Sequence, residues 1–329
     1  MEDRKKDHIQ LALESQTLSE QADRRFYYEP LLSGHSAEPL PAPDFLGKPV
    51  KVPIWVSSMT GGTALALKIN RNLAAVCRNF GMGMGLGSCR VLLEDDARFE
   101  DFNMRPIIGP DLPLFANLGI AQLEQLAETG RLHLVDRLLD KLQADGLAIH
   151  VNPLQEWMQP EGDILKQPPI DVIKRVMDHV KMPILVKEVG QGMGPESLRE
   201  LMRLPLAAIE FGAFGGTNFA TVEMKRRTDI GRELFAPVAD IGHSATEMTA
   251  MVNQIAAEET PACQGIIISG GIRNFLDGYY LMEKSSLPAM YGQASAMLRH
   301  AKENYDELEA FVETQIKGLQ LAKAYLRVR

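Results

Sequence analysis

Eight short apolar runs, at 52–58, 82–88, 112–119, 145–151, 182–190, 206–212, 265–271 and 288–294, recur along the chain. Between them lie stretches such as "NRNLAAVCRNF", "AQLEQLAETG", "VDRLLDKLQ", "IDVIKRVMDHV" and "PESLRELMRL", whose apolar residues fall at helical three-and-four spacing. Eight repeats of strand and helix predict a (β/α)8 TIM barrel, whose strands are covered on both faces and therefore read as near-continuous apolar runs. The rival is a doubly wound open sheet. Almost every run closes in glycine or polar residues: Ser57–Thr60, Ser88–Arg90, Asn117, His150–Glu156, Lys187–Glu188, Gly215–Asn218 and Gly270–Arg273. A barrel feeds its site from strands all around its C-terminal face, whereas an open sheet uses its switch point, so the pattern favours the barrel. One barrel domain is expected over residues 1–329, with 1–48 as an N-terminal arm that closes the barrel bottom or reaches over the top.

At 329 residues the length allows either two domains or one large barrel, and 45% hydrophobic with 24% charged residues is a globular composition. The net charge of −8 argues against nucleic acid or an anionic membrane as partner, so any anion must be held by local basic groups. Cys77, Cys89 and Cys263 are odd in number and lack metal or disulfide spacing, which fits a reducing cytoplasm. "MEDRKKDHIQLALE" is charged and helical, unlike a signal peptide, and no uncharged run reaches the roughly 18 apolar residues of a membrane span.

The glycines of "GMGMGLGS" fall at 81, 83, 85 and 87, a strand period through which no dinucleotide fingerprint can be drawn. One glycine face admits either a flat ligand or tight packing at the barrel centre. "SGGIRN" (269–274) and "FGGTNF" (214–219) each put Gly-Gly and a polar residue after a strand, a form suited to a phosphate cup and also to an ordinary turn. Lys187 alternates in phase with Leu185 and Val189, so it is expected to be buried and to need either a ligand anion or a neighbouring carboxylate. Arg4, Lys5, Lys6 and His8 form either a solvated end or a basic arm over a phosphorylated substrate, which Ser88 and Arg90 would also meet. "HVNPLQEW" (150–157) ends an apolar strand with groups that are costly to bury unpaired. They read as a capping cluster or as a ligand site in which Glu156 holds a hard cation such as Mg2+.

Taken in order, "RKKDH", "SSMTGG", "GLGSCR", "ANLG", "HVNPLQE", "VKEVGQGM", "GGTNF" and "SGGIR" resemble the type 2 isopentenyl diphosphate isomerases from residue 4 to about 294. That resemblance implies an FMN-containing barrel that interconverts isopentenyl and dimethylallyl diphosphate, with NADPH as reductant of the flavin and Mg2+ required. By position it implies FMN contacts at Ser58, Met59, Thr60, Ser88, Asn117, Lys187 and Thr217, with the FMN phosphate at Gly271, Ile272, Arg273, Ala289 and Met290. It further implies substrate binding by Arg4, Lys5, His8, Ser88 and Arg90, catalytic lining by His150, Asn152 and Gln155, and Glu156 as the metal ligand. Pro288, Glu210 and Gly212 depart from the family pattern, which touches the flavin contacts and not the catalytic set.

The resemblance also implies a cytoplasmic homo-oligomer, tetramer or octamer, acting on a small diphosphate. Two other classes compete with it. An FMN-dependent oxidoreductase of the 2-hydroxy acid oxidase or NAD(P)H dehydrogenase type would share the lysine and the Gly-Gly-Arg features but leave "HVNPLQE" without a role. A non-catalytic barrel that binds a phosphorylated ligand would have no use for a flavin.

Overall fold

The computed structural model describes residues 2–35, 39–44, 46–58 and 63–329. Strands β2 (Ile54–Val56), β3 (Gly83–Gly85), β4 (Leu114–Gly119), β5 (Gly146–His150), β6 (Ile184–Lys187), β7 (Ala208–Glu210), β8 (Ile266–Ser269) and β9 (Ala289–Gln293) close into one parallel barrel. All eight expected runs are present as strands, and β9 returns to pair with β2. Outside the barrel, β1 (Phe26–Tyr28) and β10 (Leu326–Val328) form an antiparallel pair. Three residues each, partly exposed and far apart in sequence, they give no periodic pattern to read.

Side chains alternate along a strand, so the barrel interior is built in layers. Trp55, Phe115, Ala148, Leu185, Ala208, Ile267 and Met290, one from each of seven strands, form a buried apolar layer. Fully burying a large apolar side chain there contributes about 1.5–3 kcal/mol. The eighth strand, β3, yields room instead: a Cβ on Gly83 would lie 2.6 Å from the Trp55 ring. Gly83 therefore serves packing at the barrel centre, and a Cβ on Gly85 would run into Ser58 Oγ. Leu46 completes this layer from the N-terminal segment. Lys48 and Arg105 both pair with Asp145, just before β5, at 2.5 and 2.6 Å. The end of the arm thus plugs the bottom of the barrel.

Helices pack their apolar faces around the strands. The helix Ala64–Phe80 buries Ile69, Leu73, Val76 and Cys77, at successive turns of one face. Thr63 caps its start by accepting from the Ala66 N–H at 3.1 Å, and Gly81, at φ 71°, ends it in the left-handed conformation. The helix Glu2–Glu14 carries the basic cluster of the arm, and among the described residues no hydrogen bond or ion pair joins it to the barrel. Among them, too, no helix is long and apolar enough to cross a membrane.

Candidate active site

Two residues beyond the apolar layer, the same alternation brings Ser57, Asn117, His150, Lys187, Glu210, Ser269 and Gly292 inward as a polar layer at the strands' C-terminal ends. A cavity of about 380 Å³ opens above one side of it, lined by residues of β2 and β6 to β9 and the loops that follow them.

The two Gly-Gly loops form one wall of this cavity. A Cβ on Gly216 would come within 3.2 Å of the Gly271 nitrogen, so the backbones touch where side chains would block them. Gly215, Gly270 and Gly271 have φ of 114°, 87° and 73°, conformations that suit glycine. Thr217, Gly271, Ile272 and Arg273 line the space, as do Ser58 and Lys187. Gln315 Nε2, from the helix Tyr305–Tyr325, donates to Gln293 Oε1 at 2.6 Å, and Gln293 Nε2 donates to the Ile272 carbonyl at 3.2 Å, fixing the loop from behind.

Ala289 and Met290 are not part of the cavity. They begin β9, and Met290 belongs to the apolar layer, facing Trp55 and Phe115. Further along the chain, Ala294, Ser295 and Ala296 line the cavity instead, at the start of the helix Ser295–Glu303. Backbone N–H groups at a helix start favour an anion, and Arg299 of the same helix faces the cavity. Loops after the last two barrel strands are a recurrent phosphate site in this architecture.

Lys187 is 7% exposed and has no carboxylate partner among the described residues; its Nζ donates to the Glu188 carbonyl at 2.9 Å. The neighbouring salt bridge that would have explained it does not form. Glu188 itself turns away, its Oε2 accepting from the N–H groups of Gly190, Gln191 and Gly192 at 2.7, 2.6 and 2.9 Å. Burial pushes its pKa above the usual carboxylate range despite these bonds.

On the other side of the mouth, the residues of "HVNPLQEW" meet one another. His150 Nδ1 lies 2.7 Å from Asn117 Oδ1, which places the proton on Nδ1 and leaves Nε2 as an acceptor. Burial first, and Lys187 second, push the His150 pKa from 6.5 to about 3, so the ring is neutral at pH 7. Asn152 Nδ2 donates to Gln155 Oε1 at 3.1 Å and to Glu156 Oε1 at 2.9 Å, while its own Oδ1 is buried without a partner among the described residues. Gln155 Nε2 donates to Glu223 Oε1 at 3.2 Å, and Arg226 Nη1 to Glu223 Oε2 at 2.7 Å. Glu156 Oε2 accepts from the Asp163 N–H at 2.9 Å, and the Asp163 carboxylate pairs with Arg90 at 3.0 Å.

Sequence reasoning thus brought together His150, Asn152, Gln155, Glu156, Asn117 and, through Asp163, Arg90. Ser88 is exposed two residues from Arg90 and does not line the cavity. Lys5 and His8 are exposed on the arm helix, for which no hydrogen bond to the site is found among the described residues; Met59, Thr60 and the Arg4 side chain lie outside the described residues. Glu223, Asp163 and Arg299 were missed, and Glu210 was noted only as a departure.

The residues fit a flavin mononucleotide. The cavity joins a glycine-walled, arginine-bearing end suited to phosphate with a polar floor that still holds unpartnered groups, Ser57 Oγ and both oxygens of Glu210. For a metal the fit is partial: among the described residues no three His, Cys, Asp or Glu side chains gather as ligands. Glu156 would hold Mg2+ only together with water and phosphate oxygens, which is the common mode for that ion.

No family model matches the chain. It is 37% identical over 280 residues to the isopentenyl-diphosphate delta-isomerase of Deinococcus radiodurans, covering 84% of this chain and 78% of that protein. It is 34% identical over 329 residues to the enzyme of that name from Synechocystis, covering 97% and 90%. The chain belongs to the isopentenyl-diphosphate delta-isomerases. Its closed barrel is the architecture that the resemblance to the type 2 isomerases implied. The fold extends well beyond the isomerases. A mandelate oxidase with an FMN adduct superposes with TM-score 0.57 and 13% identity, over 93% of this chain and 88% of that one. A flavocytochrome b2 with sulfite bound gives 0.62 and 15%, over 91% and 72%.

Proposed function

We propose that the chain interconverts isopentenyl and dimethylallyl diphosphate at the C-terminal face of its barrel, with FMN above β6 to β9 and β2 and the diphosphate beside β3 to β5. NADPH is the reductant of the flavin and Mg2+ accompanies the substrate. When bound, the reduced flavin supplies a ring nitrogen able to give and take a proton.

The chain's own residues position the two ligands. Ser58, Lys187 and Thr217 face the flavin, and Gly271 to Arg273, Ala294, Ser295 and Arg299 hold its phosphate. Glu156 holds Mg2+ against the diphosphate, whose remaining charge goes to Arg90, to Ser88 and to Arg4, Lys5 and His8 of the arm. His150, Asn152 and Gln155 line the hydrocarbon end. A neutral His150 orients the substrate without adding a cation beside Lys187. The protein works in the cytoplasm as a homo-oligomer.

One observation carries this reading: the barrel mouth holds a glycine-walled cavity and, apart from it, a carboxylate, carboxamide and histidine cluster. An oxidase acting on 2-hydroxy acids would leave that second cluster without a role. The test is incubation of purified protein with isopentenyl diphosphate, FMN, NADPH and Mg2+, omitting each in turn. Dimethylallyl diphosphate is expected only from the complete mixture, and its absence there refutes the proposal.

A further inference from the structure

β7 ends in Glu210, 1% exposed and lining the cavity. Among the described residues it is the only carboxylate with both oxygens buried and unpartnered. A buried charge without hydrogen bonds is among the costliest features a fold can carry, and it persists where a ligand completes it.

The neighbouring strand makes the case sharper. Lys187 is the register partner of Glu210 across β6 and β7, is also buried and faces the same cavity. Yet Lys187 donates to the Glu188 carbonyl, and no hydrogen bond links it to Glu210. Two buried side chains of opposite charge therefore stand side by side at one cavity without satisfying each other. A ligand that satisfies both presents a hydrogen-bond acceptor next to an N–H donor along one edge. A ring carbonyl adjacent to a ring N–H has that form. In an oxidised flavin the pyrimidine ring supplies it, and N3–H is the only N–H of the ring system.

We propose that Glu210 accepts the hydrogen bond of the flavin N3–H while Lys187 takes the adjacent carbonyl, so that β6 and β7 together recognise the pyrimidine edge. The assignment rests on the flavin reading above. Glu210 is then a positioning residue, since it holds the ring by its donor edge and thereby sets the ring's orientation over the polar layer. A carboxamide at this position retains an acceptor but loses the charge, and an alanine retains neither.

The test compares FMN with N3-methyl-FMN, which keeps the phosphate and carbonyls and lacks only this donor. Titrated into purified wild-type protein and followed by flavin fluorescence, N3-methyl-FMN is expected to bind at least about tenfold more weakly, the size of a lost hydrogen bond to a charged group with a methyl set against it. In Glu210→Ala the ratio of the two dissociation constants is expected to fall to about one to three, since the methyl then occupies the vacated space. A structural role for Glu210 would weaken both ligands equally and leave the ratio unchanged, which overturns the assignment. Equal affinities in the wild type, a measurement that needs no variant, overturn it while the flavin reading stands. Failure of the wild type to bind either flavin removes both.

Discussion

The two sides of the barrel mouth solve opposite problems. Above β6 to β9 and β2, backbone is kept bare by glycine and polar groups are left unpartnered around a cavity. Beside β3 to β5, side chains largely satisfy one another, Asn152 Oδ1 excepted: Asn117 with His150, Asn152 Nδ2 with Gln155 and Glu156, Gln155 with Glu223, and Asp163 with Arg90. The first side gains stability only when a ligand enters, as expected for a resident cofactor. On the second, ligand binding must exchange existing hydrogen bonds. The outermost of these is inexpensive to break, because Arg90 and Asp163 are each about half exposed and such surface pairs contribute about 0–1 kcal/mol. A substrate that enters and leaves at every turnover suits that side.

The largest expected effect separates the two sides. Glu156→Gln removes a charge from the substrate side alone, so kcat/KM is expected to fall by about two to three orders of magnitude. FMN affinity should stay within about twofold. Steady-state kinetics and a flavin titration on one preparation check both halves of this statement, and a parallel loss of FMN would break the comparison. High Mg2+ should restore part of the activity.

Next in size is Lys187→Ala on the cofactor side. FMN binding should weaken about tenfold to hundredfold, as for loss of a charged hydrogen-bonding group, and flavin reduction should become harder. Titration and a potential measurement read it. Unchanged values of both would return Lys187 to a structural role.

The arm gives a smaller effect. If Arg4 and Lys5 meet the diphosphate, replacing both with alanine should raise the substrate KM about tenfold and flatten its dependence on ionic strength, with FMN affinity unaltered. Kinetics equal to wild type at every salt concentration would mark the arm helix as a solvated end.

The smallest effect is on stability. Because the folded pKa of His150, about 3, lies below its ordinary 6.5, the unfolded chain binds the additional proton. The contribution is whole above pH 6.5 and is lost as the pH falls toward 3. His150→Asn should therefore show a shallower decline in stability over that interval, measured by denaturant unfolding at a series of pH values. An identical slope would mean that His150 does not carry the acid sensitivity.

Much of this organisation was legible in the sequence for a geometric reason. Parallel strands covered on both faces announce themselves as apolar runs, and their polar endings mark one face of the barrel. Ser58, Lys187, Thr217 and Gly271 to Arg273, named in that way or through the resemblance, line the cavity, whereas Asn117 lies outside it against His150. The misassignment of Ala289 and Met290 came from "LPAMYGQA", where no charged residue shows which position ends the strand. The layer to which Met290 belongs is fixed by pairing with β2 and β8, which a one-dimensional pattern does not contain. Glu223 lies within "NFATVEMKR", where it reads as the solvated charge of a helix; it is buried because Gln155, 68 positions earlier, folds against it. Arg299 was hidden in the same way, one cation in an amphipathic helix. The β1 and β10 pair joins the two ends of the chain, and local spacing has no means of showing it.

The central claim, that this barrel moves protons rather than electrons, is tested most directly by turnover in deuterium oxide. Protein reduced by NADPH without oxygen is given Mg2+ and isopentenyl diphosphate, while product is followed by NMR and the flavin by absorbance. Protonation of the terminal alkene carbon by solvent-exchanged hydrogen should place deuterium in a methyl group of dimethylallyl diphosphate, with the flavin reduced throughout and no NADPH consumed per turnover. Reoxidation of the flavin in step with substrate loss, or product free of deuterium, would contradict it.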